Sequence, residues 1–136
     1  MIESYYHEEE GFKPLLIREE WQVSLLNPVE KHGLEDIDQI ESHHHTDEVF
    51  ILHKGSAVLI EAEISDGEVR FNCLRMKQGV IYNIPAGTWH DIAMNTDAQI
   101  IIVEKSNTHL SDCKYFPLSR GQRSVLYSDI KQQMSL

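Results

Sequence analysis

The sequence predicts an all-β fold, a sandwich or small barrel, followed by one short helix near the C-terminus. Short apolar runs recur along the chain, turn residues separate them at regular spacing, and only one longer stretch has helical periodicity. A succession of about eight short strands with such turns is typical of sandwiches and barrels, whereas parallel sheets need helices between strands. With 136 residues, the chain is predicted to be a single domain, residues 1–136, that buries a core of its own.

The first predicted strand alternates apolar and polar residues. Trp21, Val23 and Leu25 are each separated by one polar residue. This is the period of a strand with one buried face and one face in water. On this pattern Gln22 and Ser24 are expected to face the solvent.

Two apolar runs, residues 49–52 and 57–60, are the next predicted strands, after a helical stretch at 36–41 that is too short to matter. Gly55 lies between the two runs. A tight connection between strands usually needs the positive φ that glycine adopts freely. The two strands are therefore expected to be joined at Gly55.

The pair Asp66-Gly67 is the strongest short hairpin signal in the chain. It predicts an antiparallel return over residues 69–76. The alternation of that return slips near Leu74, which predicts a β-bulge there.

Three further strands are predicted at residues 80–84, 89–93 and 98–103. The last of them is apolar without interruption, so it is expected to be buried on both faces. Together these runs complete the predicted all-β succession.

The helix is predicted over about residues 120–134. Ser119, followed three residues later by Gln122, has the form of a capping box. Three apolar residues then follow at helical spacing, at Leu126, Ile130 and Met134. The helix is therefore expected to lay one apolar stripe on the barrel or on a partner.

The composition of the chain limits the binding partners and the cellular location that we expect. The formal net charge of −10 argues against binding to nucleic acid or to an anionic membrane surface, both of which need basic patches. No apolar run approaches the roughly 20 residues of a membrane helix. The first ten residues are acidic where a secretory signal would be basic and then apolar. A cytoplasmic location is expected, with no membrane contact.

Histidine and carboxylate side chains cluster in two motifs that adjoin turns. The first, about residues 41–55, contains Glu-Ser-His-His-His-Thr-Asp-Glu and ends at a glycine; the second, about residues 79–95, contains Pro-Ala-Gly-Thr-Trp-His. Imidazole and carboxylate together suit zinc, iron, manganese or nickel without any thiolate. The two motifs therefore predict one site for a divalent metal ion.

These motifs resemble those of the cupin superfamily, and the chain is similar to a small single-domain RmlC-like cupin. The spacings that match are carried by Glu48 and Gly55 in the first motif and by Gly79, Pro85, Gly87 and His90 in the second, while Asn95 falls one residue late. The resemblance implies a jelly-roll (double-stranded β-helix) barrel with a bound metal. Its specificity is high for the fold and low for the function, because cupins include dioxygenases, isomerases, decarboxylases, storage proteins and sensors.

The first motif leaves two registers open for its first two ligand positions, which the family fills with histidines. These positions fall either on Glu41 and His43 or on Ser42 and His44. The first register is preferred because both of its residues can bind a metal. The resulting ligand set is His43, Glu48 and His90, with Glu41 as the fourth ligand and His45 in reserve. A barrel that has lost its metal is the alternative interpretation.

Other residues receive weaker expectations. Trp89 is expected to cover the barrel exterior or a subunit contact, Tyr82 and Met94 to line the pocket, Thr46 to fix the loop of the first motif, and His53 to be structural. No residue is identified as a catalytic base.

Three functions follow from these interpretations. The first is a cytosolic metal-binding cupin with dioxygenase-like or isomerase-like activity on a small metabolite. The second is a module that binds a small ligand without turning it over, and the third is a metal-free structural dimer. The resemblance also implies a homodimer, with an interface at the edge formed by Ile100–Val103 together with Trp21.

Overall fold

The computed structural model describes all 136 residues and has ten strands and two α-helices. The elements are β1 (Gly11–Ile17), β2 (Gln22–Asn27), a 3-10 turn (Glu30–His32), β3 (Gln39–Ser42), β4 (Glu48–Lys54), β5 (Ala57–Ser65), β6 (Glu68–Arg75), β7 (Ile81–Ile84), β8 (Trp89–Met94), β9 (Gln99–Glu104), α1 (Thr108–Ser111), β10 (Lys114–Pro117) and α2 (Arg120–Met134). None of the helices combines the length and the apolar composition that crossing a bilayer requires.

The strands form two antiparallel sheets of five strands each. The first sheet has the order β1-β2-β9-β4-β7, and the second has the order β10-β3-β8-β5-β6. A core of twelve buried apolar residues includes Phe50, Leu52 and Ile100 from the first sheet and Leu59 and Ile92 from the second. Burial of this set between the two sheets is the main force that holds them face to face.

Helix α2 covers the outer face of the second sheet. Leu126 and Ile130 are buried in a second apolar cluster with residues of β3, β5 and β8. The capping box is confirmed: the Ser119 hydroxyl accepts from the Gln122 backbone N–H, and the Gln122 side chain accepts from the Ser119 N–H. The predicted helix and its apolar stripe are both present, and the stripe packs on this same chain.

The turn chemistry is confirmed at two glycine positions. Gly55 has φ +77° between β4 and β5. The Asp66-Gly67 pair has φ +52° and +78° and closes the hairpin between β5 and β6. Two successive positive φ values are the signature of the hairpin turn that Asp-Gly favours.

Several expectations about individual strands are wrong. No bulge occurs near Leu74, because β5 and β6 pair without a shift of register. Residues 36–41 are not helical; β3 begins within them. Strand β9 is fully buried on one face only, since Ile101 and Val103 are half-buried on the other. Strands β1, β3 and β10 were not predicted, since none of them shows a long apolar alternation.

The faces of β2 are the reverse of the prediction. Gln22 and Ser24 point inward and are 0% exposed, whereas Val23 and Leu25 are half-buried on the outer face. The Gln22 amide donates to the Glu104 carboxyl (3.3 Å), and its oxygen accepts from the Asn107 N–H (3.0 Å). A buried amide is stable where its polar atoms make hydrogen bonds. The polar face of β2 can therefore point to the interior, because Glu104 and Asn107 provide hydrogen-bond partners for Gln22 there.

Candidate metal centre

Four side chains from three strands and one loop converge at one end of the space between the sheets. Glu41 belongs to β3, His43 follows β3 directly, Glu48 opens β4 and His90 lies in β8. One possible ligand atom from each of the four lies within 4.8 Å of the other three. Glu41 pairs directly with His90 across the ladder of β3 and β8, which places their side chains on the same face.

Glu48 lies between the two imidazoles. Its Oε1 is 3.0 Å from Nε2 of His90, and its Oε2 is 3.3 Å from Nε2 of His43. Glu41 Oε1 completes the group at 3.8 Å and 3.9 Å from the two Nε2 atoms. His43, Glu48 and His90 are buried, while Glu41 is partly open to a cavity.

The far nitrogens of both imidazoles are held by backbone carbonyls. His43 Nδ1 is 2.7 Å from the Asp112 carbonyl, and His90 Nδ1 is 2.9 Å from the Thr88 carbonyl. A carbonyl only accepts hydrogen bonds, so both Nδ1 atoms carry the proton. Each Nε2 of a neutral ring then presents its lone pair to the Glu48 carboxylate. The buried His43 Nε2 makes no well-aligned hydrogen bond in the protein, although carboxylate oxygens of Glu48 and Glu41 lie 3.3 Å and 3.8 Å from it.

This arrangement fits a metal ion. Two lone pairs that face carboxylate oxygens repel unless a cation lies between them. Imidazoles that donate through Nδ1 to a fixed acceptor and ligate through Nε2 are the usual form of histidine metal ligands. Two imidazoles and two carboxylates suit iron, zinc, manganese or nickel.

Without a metal, protons take the place of the cation. Burial lowers the pKa of His43, but its contact with Glu48 outweighs this and raises the pKa to about 10. The same balance of burial against Glu48 raises the pKa of His90. Burial raises the pKa of Glu48, but the two imidazoles outweigh it and lower that pKa. In the metal-free site His43 is therefore an imidazolium at neutral pH, and the Glu48 carboxylate also favours the protonated form of His90.

Two aspartates and a threonine hold the loops that carry the ligands. The Asp112 carboxylate accepts from the backbone N–H groups of His44 (2.9 Å) and His45 (2.8 Å). The Asp47 carboxylate accepts from the Ala86 N–H in the second motif. Thr46 accepts from the Lys105 N–H, as expected of a residue that fixes this loop.

Other expected site residues lie elsewhere. His44 and His45 are exposed, and the turn held by Asp112 keeps His45 out of the four-residue cluster. His53 is exposed rather than structural. Trp89 packs on the barrel exterior with its ring 6.1 Å from that of Phe116, as expected.

Tyr82 and Met94 do not line the cavity. The Tyr82 hydroxyl accepts from the Lys77 N–H, and Met94 is buried in the central core. A cavity of about 540 Å³ opens onto the cluster and is lined instead by residues such as Phe12, Phe50 and Glu104. Sequence proximity to the second motif was therefore a poor guide to the pocket, because the strands around the cavity come from distant parts of the chain.

A series of polar side chains in contact with one another lies behind Glu48, and neither sequence motif indicates it. Glu104 pairs directly with Glu48 in the ladder of β4 and β9. Burial, together with the Glu48 carboxylate, raises the pKa of Glu104 to about 9. The Gln22 amide joins the Glu104 carboxyl to His109 Nδ1 at 3.3 Å and 3.2 Å. The signal that could have found this residue is an acid directly after the apolar run at 98–103.

Comparison with solved structures identifies the architecture. A cupin-2 domain containing protein from Shewanella frigidimarina has a TM-score of 0.50 and 20% identity, over 74% of this chain and 84% of that one. A variant of Streptomyces PAC13 solved with uridine has a TM-score of 0.57 and 11% identity, over 87% and 93% of the two chains. Bacillus subtilis oxalate decarboxylase, described with Mn(II) centres, has a TM-score of 0.50 and 19% identity, over 82% and 29%.

No protein-family model matches the sequence, and no curated protein is similar enough to match it. At these identities the solved structures define the fold alone. The chain has the cupin fold, a jelly roll of two antiparallel sheets with a C-terminal helix, and a Glu-His-Glu-His cluster that could hold a metal.

Proposed function

We propose that this protein is a metal-dependent cupin enzyme that acts on a small molecule held in the cavity beside Glu41, His43, Glu48 and His90. The observation that carries the proposal is the pair of buried imidazoles, each fixed by a carbonyl at Nδ1 and aimed at Glu48 through Nε2. The cytoplasmic location expected from the sequence is part of this proposal.

The residues of the chain have distinct tasks in this function. His43, Glu48 and His90 would hold the ion rigidly, since all three are buried and their loops are tied together. Glu41 lies at the cavity wall, where its partial exposure lets a substrate approach the same ion. A bound divalent metal supplies Lewis-acid polarisation of a substrate oxygen or an activated water.

Metal affinity is expected to rise with pH, because the metal and protons compete for the same nitrogens. The pKa of His43, about 10, means that this ring is protonated at pH 7 without a metal, and the raised pKa of His90 shifts that ring in the same direction. Binding should release up to two protons, and the association constant should rise about tenfold per pH unit for each proton released. Calorimetry with Mn²⁺ or Zn²⁺ from pH 6 to pH 8, in buffers of different ionisation enthalpy, measures both quantities.

The exposed His44 is the matched control for this experiment. His44→Ala should keep both the affinity and its pH dependence, because His44 is exposed and lies outside the cluster. An affinity independent of pH over this range would contradict the proposed ligands. Aerobic oxygen consumption and product analysis with catechols, thiols and keto acids then separate an enzyme from a binding module.

We also propose that the protein forms a homodimer, through the outer face of the first sheet. The expected edge at Ile100–Val103 is not an edge, because β9 lies between β2 and β4. On β2, β9, β4 and β7 the outward residues of this face belong instead to two rows, Leu25, Ile101, Ile51 and Ile81 in one, and Val23, Val103 and Val49 in the other. The first row continues to Lys13 of β1, and the second to Asn83 of β7.

Charge supports a second copy as the partner on this face. The seven apolar residues are uncharged and Lys13 adds a cation at the edge of the first row, while the whole chain carries a net charge of −10. Two acidic copies approach each other most easily where neither presents a carboxylate. Helix α2 packs on the other sheet, against β5 and β6, rather than on this face.

Charged substitutions on this face are expected to give monomers. Ile101→Lys and Ile81→Lys place a cation in an apolar, self-facing interface, and Ile81 is 71% exposed, so its replacement should not disturb folding. Light scattering after size-exclusion chromatography should give twice the chain mass of 15.7 kDa for the wild type and the mass of one chain for each variant. Val125→Lys on α2 is the control and should remain a dimer. A monomeric native protein, or folded variants that stay dimeric, would refute this interface.

A further inference from the structure

The ring of His109 lies at the rim of the cavity and is held in one orientation. His109 is an exposed residue of α1 that lines the cavity together with Phe12. The centroids of the two rings are 5.5 Å apart, and their planes are tilted by 56°. The Nδ1 atom of His109 lies 3.2 Å from the amide nitrogen of Gln22. The ring therefore offers Nε2 as its polar atom for a ligand.

The Gln22 amide determines which nitrogen of His109 carries the proton. The Asn107 backbone N–H, which can only donate, faces the oxygen of this amide at 3.0 Å. The amide nitrogen therefore points to Glu104 and His109, at 3.3 Å and 3.2 Å, and donates one hydrogen to each. Because Nδ1 of His109 accepts this hydrogen bond, the neutral ring carries its proton on Nε2.

The same contact keeps the ring of His109 uncharged. A second proton on Nδ1 would point at the N–H of Gln22, so the charged ring would lose a hydrogen bond and bring two donors together. Partial burial also lowers the pKa of His109. Gln22 is fully buried, so it cannot turn away without leaving polar atoms unpaired. His109 is therefore a fixed donor of one neutral N–H group.

The rim of the cavity favours an uncharged partner for this donor. No arginine lines the cavity, its single lysine, Lys31, is exposed, and the exposed carboxylates of Glu10 and Asp38 add negative charge. Phe12 and Phe50 supply apolar wall for the body of a ligand. Among uncharged groups, a carbonyl accepts hydrogen bonds and never donates them, so it matches an N–H that is fixed as a donor.

We infer that His109 binds an uncharged carbonyl group of the ligand through its Nε2–H, while the body of the ligand packs against Phe12. The inference rests on the proposed function only for the use of this cavity as the substrate site. It is carried by the hydrogen bonds that fix the donor and by the packing of its ring. The cavity volume of about 540 Å³ accommodates a small molecule of this kind.

The tautomer of His109 is testable without any ligand. Nitrogen–proton NMR spectra of ¹⁵N-labelled protein show which ring nitrogen of each histidine is protonated, and His109→Phe identifies the signals of this ring. The proton should lie on Nε2 from pH 7 to pH 8. A proton on Nδ1, or an imidazolium at pH 7, would overturn the inference.

Acetophenone and α-methylstyrene test the ligand class, because they share one shape and differ in a carbonyl oxygen that is replaced by a methylene group. Their hydration also differs, so the quantity compared is the ratio of the association constant of acetophenone to that of α-methylstyrene. NMR titration of metal-free and Zn²⁺-loaded protein measures both constants. His109→Phe keeps a ring beside Phe12 but removes the donor, and it should lower the ratio about tenfold.

Two further variants separate ligand binding from a structural role of His109. His109→Gln provides an amide N–H near the position of Nε2–H, so it should restore most of the ratio. His53→Phe replaces an exposed histidine outside this cavity and should leave the ratio unchanged. An equal ratio in the wild type and His109→Phe, or the failure of both compounds to bind, would also overturn the inference.

Metal content measured on the same samples distinguishes this inference from the proposed function. Zinc bound by a protein whose ratio is unchanged in His109→Phe refutes the inference alone. A ratio that depends on His109 in protein that takes up no metal supports the inference and refutes the metal-dependent function.

Discussion

Glu48→Gln and His90→Ala should each reduce bound metal from about one ion per chain to below about a tenth. Glu48 is the carboxylate shared by both imidazoles, at 3.0 Å and 3.3 Å, and His90 is the most buried of the four residues. Loss of either removes a buried ligand that no neighbour replaces. Metal analysis of protein purified without a histidine tag is the measurement, because a tag would itself bind nickel.

The neighbouring histidines provide controls within the same loop. His44→Ala and His45→Ala should retain full metal, since both side chains are exposed and their backbone N–H groups, not their rings, bond to Asp112. Folding of every variant is checked by its far-ultraviolet circular dichroism. Substoichiometric metal in the wild type after reconstitution would favour the metal-free alternative, and loss of metal in His45→Ala would show that the ligand set is wrong.

Gly55→Ala is expected to lower the free energy of unfolding by about 3 kcal/mol or more. The φ of +77° disfavours any residue with a Cβ. A Cβ at this position would also contact the Asp97 carbonyl and lie 2.6 Å from Cα of Ala98. Both contacts are backbone, so they cannot be relieved by rotating a side chain. Urea denaturation at constant slope measures the change.

Gly67→Ala is the matched control for Gly55→Ala. Gly67 has nearly the same φ, +78°, but nothing lies within 4 Å of a Cβ built there. Its replacement should therefore cost only the conformational penalty, about 1–2 kcal/mol. Equal losses of unfolding free energy at the two glycines would show that the close approach between the β4–β5 turn and the turn at Asp97 contributes nothing to the cost of Gly55→Ala.

The elements with strong local signals were predictable. The Asp66-Gly67 hairpin and the Ser119 capping box depend on neighbours in sequence, and both are present. The faces of β2 were not predictable in this way. Alternation shows that two faces differ, but Gln22 points inward because Glu104, 82 residues away, lies there to accept its hydrogen bond. An amphipathic strand is usually interpreted with its apolar face inside, and this interpretation is wrong for a strand whose polar residues face inward.

The candidate site likewise contains residues that were predictable from the sequence and residues that were not. The motifs and their resemblance to cupins predicted His43, Glu48 and His90, with Glu41 as the fourth ligand and His45 in reserve. The fold brings the first four within 4.8 Å of one another and leaves His45 outside. Asp112, whose carbonyl holds His43 and whose carboxylate holds the loop, had no signal, because it lies in a connection outside both motifs.

The sequence by itself determined seven of the ten strands, the hairpin, the helix and the candidate metal-binding residues, because each depends on spacing or on chemistry a few residues long. Only the tertiary structure decided which sheet face is polar, which carbonyls orient the imidazoles, and that Glu104 lies in the cavity beside Glu48. Those features depend on strand register between distant segments, and register is a property of the whole packed sheet.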